Sequence, residues 1–135
     1  MIQRRVFITD DSQLYIEVLS GVLEGDEMVV ASTTDPREAL ERIIEFEPHV
    51  IIVDLVMPNK CGIELAKDIK NNSKLKHIPV LLISGNDLEL EEALKSNKAI
   101  NDYIRKIDKA DDIRRAVRLY ADVGIIQQIV KDLGS

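Results

Sequence analysis

The sequence predicts an α/β fold, a doubly wound parallel sheet of five strands with helices on both faces. Short apolar segments alternate along the chain with segments whose apolar residues recur at helical spacing, which is the pattern of repeated βαβ units. The length of 135 residues suits one domain, and 45% of the residues are hydrophobic, enough for a core. Because crossovers between parallel strands are right-handed, few topologies remain, and we expect the flavodoxin-like strand order 2-1-3-4-5.

The predicted strands share a short length, β-branched residues and flanking turn residues. They are Arg4–Thr9, Met28–Ser32, Val50–Asp54, Ile78–Ser84 and Asp102–Lys106. The third reads VIIVD, and its unbroken apolar run predicts burial on both faces. A carboxylate inside such a sheet would be very costly without a partner. Asp54 is therefore expected at the carboxyl end of its strand, where open α/β sheets bind ligands.

The predicted helices are recognised by their apolar spacing and by capping residues at their starts. Asp35 is the expected N-cap of the second helix, with Pro36 in its first position and Glu38 reaching back as in a capping box. Asn86 is the expected cap of the fourth helix. In chain order, the apolar faces comprise Leu14, Val18, Leu19, Val22 and Leu23; Ala39, Leu40, Ile43 and Ile44; Ile63, Leu65, Ala66 and Ile69; Leu90, Ala93 and Leu94; and Ile113, Ala116, Val117, Tyr120 and Ala121.

The composition argues against several classes of protein. With 24 acidic and 18 basic residues, the net charge is −6, so we expect no binding of nucleic acid through a general basic surface. No apolar run is long enough to span a membrane, and the N-terminus does not read as a signal peptide. The single cysteine, Cys61, excludes an internal disulfide and fits a reducing compartment, so a cytoplasmic location is expected.

Polar residues stand at the carboxyl ends of the predicted strands. Asp10 and Asp11 follow the first strand, and Asp54, Ser84 and Lys106 end the third, fourth and fifth. These ends meet at one edge of a parallel sheet, so the groups should share a small crevice. Three neighbouring carboxylates repel one another, so one must take a proton or a cation must enter. Oxygen ligands without a nearby histidine or cysteine suit Mg²⁺.

The same set of groups suits phosphoryl transfer. A carboxylate can act as a nucleophile toward phosphorus and form an aspartyl phosphate. A hydroxyl and an ammonium group, from Ser84 and Lys106, would then bind the remaining phosphoryl oxygens. Such a reaction needs little more from a protein than position and charge.

From about Arg4 to Val123 the chain resembles a receiver domain of the two-component response regulator family. The residues that carry the resemblance are Asp10-Asp11, Asp54 followed by Met57-Pro58 and Gly62, Ser84-Gly85, and Lys106, each after its predicted strand. The resemblance implies a phosphorylation-dependent signalling switch rather than an enzyme, with at most slow loss of its own phosphoryl group. It implies as partners a histidine kinase or a histidine phosphotransfer protein and a downstream protein target.

The resemblance further implies a phosphoacceptor and a metal site. Asp54 would accept the phosphoryl group. Asp11, Asp54 and the backbone carbonyl of Val56 would bind Mg²⁺ directly, and Asp10 would bind it through a water molecule.

Three further residues receive roles from the resemblance. Ser84 would donate to one phosphoryl oxygen, and Lys106 would pair with another. Tyr103 occupies the place of the switch aromatic and would turn inward when Ser84 is drawn to the phosphoryl group. The family usually has proline after this lysine, often with a cis bond, whereas Ile107 follows here. A trans bond is expected, because a non-proline cis peptide costs about 2.5–4 kcal/mol.

The end of the chain extends beyond this pattern, so we expect a receiver domain over residues 1–123 and a helical extension over residues 124–135. Apolar residues continue there at helical spacing, namely Val117, Ala121, Ile125, Ile126, Ile129, Val130 and Leu133. A glycine inside a helix costs only about 1 kcal/mol, so the last helix either runs on through Gly124 or breaks and folds back. The stripe either packs on the domain, forms a homodimer seam or connects to another protein.

Three other functions remain open. An aspartyl-phosphate hydrolase usually has a second aspartate two residues after its nucleophile, where this chain has Val56 and thus no general acid. A flavodoxin would hold a phosphate in its first loop, where Asp10 and Asp11 would repel it. A receiver that works as an unphosphorylated scaffold is compatible with Ile107.

Four residues outside the site are expected to have structural roles. His49 and His77 precede strands and should lie at the surface of the opposite sheet edge, not as ligands. Phe7 and Tyr15 should be core or core-edge residues rather than recognition groups.

Overall fold

A five-stranded parallel sheet forms the centre of the molecule in the computed structural model, which describes residues 3–25 and 27–134. Its strands are β1 (Arg4–Thr9), β2 (Met28–Thr33), β3 (Val50–Asp54), β4 (Val80–Ser84) and β5 (Asp102–Arg105). They lie in the order β2-β1-β3-β4-β5, which confirms the predicted topology. The helices that alternate with them are α1 (Gln13–Leu23), α2 (Pro36–Phe46), α3 (Gly62–Lys70), α4 (Asp87–Ser96) and α5 (Ala110–Gly134).

The strand register aligns the carboxyl ends of the central strands. Thr9 of β1 pairs with Val53 of β3, and Asp54 pairs with Ile83 of β4. The residues that follow these strands therefore emerge at one edge, where ligands of open α/β sheets bind.

Two apolar layers cover the sheet because successive side chains of a strand point to opposite faces. Phe7, Ile51 and Val53 pack in the layer that holds α2, α3 and α4. Ile8 and Ile52 pack in the other layer, beneath α1 and α5. Every residue of β3 is buried, as its unbroken apolar run predicts.

Helix α2 begins as predicted at Asp35, but without the capping box. The Asp35 carboxylate accepts the backbone N–H of Arg37 at 2.9 Å, and Pro36 occupies the first turn. The backbone N–H of Asp35 donates to the hydroxyl of Thr33 at 3.1 Å and is therefore not available to Glu38. Strand β2 continues to Thr33, one residue beyond the predicted end, which positions this hydroxyl.

Two apolar residues of α1 that the spacing assigns to the core are exposed instead. Leu14 is 72% exposed and Val18 54%, while Ile16, Leu19 and Leu23 form the buried face. Leu14 and Val18 are one turn apart, so together they form a small apolar patch on the outer side of α1.

Helix α5 continues through Gly124 to Gly134, so the expected alternative of a break is wrong. Its buried face ends at Gly124, and the side chains of Ile126, Ile129, Val130 and Leu133 are exposed. This part of the stripe does not pack on the domain. The guanidinium of Arg4 holds the middle of the helix to β1 through both carboxylate oxygens of Asp122, at 2.7 and 3.3 Å. Across the described ranges, no helix is both long and apolar enough to cross a membrane.

The expectation that His49 is a simple surface residue is wrong. It is half-buried, and its Nδ1 accepts the backbone N–H of Arg5 at 2.9 Å. The same expectation is wrong for His77, which is also half-buried and lies beside the last turns of α5, close to Gln128.

Candidate functional site

Three aspartates meet at the carboxyl edge of the sheet. Asp10 and Asp11 follow β1 and Asp54 ends β3, and one carboxylate oxygen of each lies within 4.8 Å of the others. Asp10 is fully buried and Asp54 is 5% exposed, whereas Asp11 faces solvent. The sheet register therefore produces the acidic cluster that the strand ends predict.

Asp10 is held by the start of α1. One of its carboxylate oxygens accepts the backbone N–H of Ser12 at 2.9 Å. The other oxygen is buried and accepts no hydrogen bond of good geometry from any described residue. The ammonium nitrogen of Lys106 lies 2.9 Å from it, outside hydrogen-bond alignment, and compensates its charge. A buried carboxylate oxygen satisfied only by an ion pair can still accept a further cation or donor.

Lys106 connects the other groups of the cluster. It follows β5, and its backbone N–H donates to the carbonyl of Ser84 at 2.9 Å. Its ammonium nitrogen lies 3.6 Å from Asp54 and 4.5 Å from the centre of the Tyr15 ring. The ammonium thus lies between two carboxylates and an aromatic face, an arrangement in which a cation–π interaction strengthens as water is removed.

The environment of Asp54 favours its neutral form. Burial, followed by the charge of Asp10, raises the pKa of Asp54 to about 7, and the nearby Lys106 ammonium opposes this rise. Hydrogen-bond contacts with Asp11 and Asp10 raise the pKa further. Near neutral pH, a carboxylate so placed responds strongly to any cation that enters the pocket.

The remaining predicted residues lie around this cluster. Ser84 ends β4 and is buried, and its hydroxyl oxygen accepts the backbone N–H of Asn86 at 3.1 Å, so its proton is left to donate elsewhere. Tyr103 lies half-buried on β5 and packs against the core layer beneath α4. Val56 lies in the loop after β3 with its side chain 62% exposed.

Gly62 lets the first turn of α3 approach the backbone of Asp54. A Cβ atom at this position would lie 2.2 Å from the Asp54 carbonyl oxygen, far inside van der Waals contact. The backbone N–H of Gly62 also donates to the carbonyl of Leu55 at 3.0 Å. The glycine therefore has a steric function in fixing the end of β3.

The donor set of the pocket fits a hard divalent cation such as Mg²⁺. Asp10, Asp11 and Asp54 offer only oxygen ligands, and such ligands favour Mg²⁺ over softer metals. The poorly satisfied oxygen of Asp10 and the raised pKa of Asp54 both show negative charge that a cation would compensate.

Tyr15 is a further residue of the site, which the sequence pattern does not identify. Its ring, expected in the core or at the core edge, covers the ammonium of Lys106. Burial, and then the carboxylates of Asp10, Asp108 and Asp54, raise the pKa of Tyr15 to about 12, so its hydroxyl keeps its proton. Its position in the first turn of α1, four residues after Asp11, is the one sequence signal that points to a place near Lys106.

The fold and the acidic pocket together define the class of doubly wound α/β domains that carry a cation-compatible site at the carboxyl sheet edge. Residues 6–118 match the family described as "Response regulator receiver domain". The chain is 32% identical over 112 residues to the rice two-component response regulator ORR5, covering 82% of this chain and 83% of that protein. It is also 32% identical to the rice two-component response regulator ORR11, covering 76% of that protein.

Solved structures show the same fold. The chemotaxis response regulator CheY4 of Vibrio cholerae has a TM-score of 0.78 at 24% identity, covering 87% of this chain and 98% of that one. The signal receiver domain of an HD domain-containing protein from Pseudomonas fluorescens Pf-5 has a TM-score of 0.83 at 17% identity, covering 95% of this chain and 93% of that one. The chain belongs to the family of response regulator receiver domains, the signalling domains of two-component systems.

Proposed function

We propose that this receiver domain is switched by phosphorylation of Asp54 in the presence of Mg²⁺. The observation that carries the proposal is the position of the Asp54 carboxylate. It lies beside the carboxylates of Asp10 and Asp11, and the ammonium group of Lys106 is 3.6 Å away. A divalent cation would balance the carboxylates, and Lys106 supplies the positive charge that a bound phosphoryl group needs.

The reaction transfers a phosphoryl group from a donor to the side chain of Asp54. A carboxylate oxygen of Asp54 forms a bond to phosphorus while the bond between phosphorus and the leaving atom of the donor breaks. A phosphohistidine donor would leave as imidazole, taking the bonding electron pair and a proton from solvent. Mg²⁺, held by Asp10, Asp11, Asp54 and the Val56 carbonyl, would supply charge compensation for the phosphoryl oxygens.

Two side chains of the pocket suit the remaining phosphoryl oxygens. The hydroxyl proton of Ser84 is free to donate, and Lys106 lies within reach of Asp54. Movement of Ser84 toward the phosphoryl group would open space that Tyr103 fills from its half-buried position on β5. This coupling would carry the local charge change to the partner surface of the domain.

The proposed phosphoryl donor is a histidine kinase or a histidine phosphotransfer protein in the cytoplasm, and a downstream protein would bind the phosphorylated form. The exposed apolar pair on α1, Leu14 and Val18, supports docking of the donor beside the site, since α1 begins two residues after Asp11. Apart from slow loss of the phosphoryl group, no enzymatic activity is proposed, and nucleic acid and membranes are not proposed as direct partners.

The extension over residues 124–135 is proposed as a homodimer seam. Ile126, Ile129, Val130 and Leu133 are exposed and follow the i, i+3, i+4, i+7 spacing of a helix that packs on another helix. Multi-angle light scattering of the wild-type chain should give the mass of a dimer, and Ile126→Glu/Leu133→Glu should give that of a monomer. A monomeric wild type would instead favour a connector to another protein, the other role open to this stripe.

Intact-mass spectrometry after incubation with acetyl phosphate and Mg²⁺ tests the main proposal. One phosphoryl adduct is expected, and it should be absent with EDTA and in Asp54→Ala. Labelling that persists in Asp54→Ala would refute the assignment of the phosphoacceptor. A folded wild-type protein that takes up no phosphoryl group from acetyl phosphate or from a phosphohistidine donor would support the scaffold alternative.

A further inference from the structure

A basic groove lies at the amino edge of the sheet, opposite the acidic pocket. The end of α3, the loops before β4 and β5, and the last turns of α5 line this open groove, whose volume is about 680 Å³. Four lysines line it, together with His77 and Asn101. They are Lys70, Lys76, Lys98 and Lys131. Within the described ranges its lining includes no carboxylate, although the chain as a whole carries a net charge of −6.

Three lysines of the groove, Lys70, Lys76 and Lys98, have ammonium groups that are available for a ligand. Among the described residues, no carboxylate oxygen lies within 4.0 Å of the ammonium groups of Lys70, Lys76 or Lys98. Lys70 is half-buried and donates one hydrogen bond to the carbonyl of Ile78 at 2.6 Å, so two of its donors remain. Burial lowers the pKa of Lys70 to about 8, which shows that this ammonium would gain from a bound anion.

Asn101 adds a neutral donor in a fixed orientation. Its side-chain oxygen accepts the backbone N–H of Val80 at 2.8 Å, and its own backbone N–H donates to the carbonyl of Val80 at 2.9 Å. The amide nitrogen of the side chain is therefore left as a donor at the groove. A site that offers mostly donors requires a ligand with several acceptor oxygens.

We propose that this groove binds a small organic phosphate of nucleotide size. Its volume lies within the range of small-molecule sites, about 300–1,000 Å³. The ammonium groups would bind the phosphate oxygens, and the apolar stems of the lysines would cover an organic part. The site is independent of Asp54, since it occupies the opposite edge of the sheet.

The ligand would also couple the extension to the domain. Lys131 comes from α5, whereas Lys70, Lys76 and Lys98 come from α3 and the loops before β4 and β5. A polyphosphate that contacts both sides would hold the last turns of α5 against the domain. Binding should therefore reduce the rate of amide hydrogen exchange between Gln127 and Leu133.

The test is a titration of the ¹⁵N-labelled 135-residue chain with ADP and with inorganic pyrophosphate, in EDTA to keep divalent cations from both sites. We expect saturable amide shifts in residues 73–77, 98–101 and 127–131. Lys76→Gln/Lys98→Gln should weaken binding about tenfold or more. The matched variant Lys67→Gln/Lys95→Gln removes the same charge from lysines outside the groove and should stay within about twofold of wild type. Asp54→Ala should bind as the wild type does.

Several outcomes would overturn the proposal. They are an absence of saturable shifts up to about 5 mM of either probe, shifts confined to the acidic pocket, and an equal loss of affinity in both lysine double variants. Saturable binding to duplex DNA or anionic vesicles but to neither small probe would assign the groove to a different class of partner. The two proposals can fail separately. If Asp54→Ala still binds ADP or pyrophosphate and the wild type is not phosphorylated, the groove proposal stands and only the proposed switch is refuted.

Discussion

The backbone of His49 occupies the space where a side chain on Gly124 would lie. A Cβ atom built on Gly124 would be 1.8 Å from the His49 carbonyl oxygen. Only glycine therefore allows α5 to lie this close to the start of β3. The sequence alone marks Gly124 as a weak point in a helix, whereas the structure shows it as the contact that allows the helix to pass the sheet and continue.

We expect Gly124→Ala to destabilise the fold by about 1–3 kcal/mol or more, because the backbone of β3 cannot move without disturbing the core. Urea unfolding followed by circular dichroism measures this change. Gly21→Ala is the matched control: Gly21 lies in α1 with no atom within 4 Å of an added Cβ. The free energy of unfolding of Gly21→Ala should rise by about 0.5–1 kcal/mol, because alanine has the higher helix propensity. Equal effects of the two substitutions would contradict the close contact.

The contact between Tyr15 and Lys106 predicts a role for the aromatic ring in phosphorylation. Tyr15→Leu should slow labelling by acetyl phosphate about two- to thirtyfold, because a cation–π contact of about 0.5–2 kcal/mol no longer holds the ammonium. Tyr15→Phe keeps the ring and should label within about twofold of wild type. Unfolding curves of both variants separate positioning from stability. If Tyr15→Phe and Tyr15→Leu slow labelling equally, the hydroxyl of Tyr15 rather than its ring would contribute to phosphorylation.

Charge repulsion in the acidic pocket predicts that Mg²⁺ stabilises the wild type more than it stabilises Asp54→Asn. In EDTA, Asp54→Asn should be more stable than the wild type by roughly 1–3 kcal/mol, since it removes one of three crowded carboxylates. Mg²⁺ should stabilise the wild type, by about 1.4 kcal/mol at ten times its dissociation constant, and stabilise Asp54→Asn much less. Thermal unfolding of both proteins in EDTA and at a series of Mg²⁺ concentrations checks these two predictions. If Asp54→Asn were less stable than the wild type in EDTA, repulsion between carboxylates would not dominate the stability of the acidic pocket.

His49 predicts a loss of stability in acid. Burial, and then the charge of Arg5, lowers the pKa of His49 from 6.5 to about 4. In the fold its Nδ1 accepts the N–H of Arg5 at 2.9 Å, which requires this nitrogen to be unprotonated. The unfolded chain therefore takes up the proton first, and stability falls as the pH drops from 6.5 toward 4. The full pKa shift corresponds to a loss of about 3 kcal/mol in the free energy of unfolding. We expect a loss of about 1–2 kcal/mol, because the ring is partly solvated.

His49→Asn checks this assignment. Its side-chain oxygen can accept the same N–H and does not titrate. Urea unfolding at about pH 4.5 and about pH 7 should show a smaller loss for the variant than for the wild type. The same pH dependence in both proteins would assign the acid sensitivity to other groups.

Local patterns in the sequence are sufficient to place the strands and the helices, because apolar periodicity and capping residues are local properties. The strand order then follows from the right-handed crossovers of a doubly wound sheet. They also show which side chains stand at the carboxyl strand ends, so the proximity of Asp10, Asp11 and Asp54 follows from the sequence. One feature predicted from a local pattern, the capping box of α2, is wrong. Glu38 does not complete a capping box because β2 runs one residue further and Thr33 takes the N–H of Asp35.

Contacts between residues far apart in the chain depend instead on the tertiary structure. Tyr15 covers Lys106, Gly124 meets the carbonyl of His49, and lysines from three parts of the chain line one groove. Composition alone argues against a basic surface, since charges are counted over the whole chain, whereas a groove depends on where the fold brings a few of them together. Such contacts are set by how the helices pack on the sheet, which local patterns do not encode.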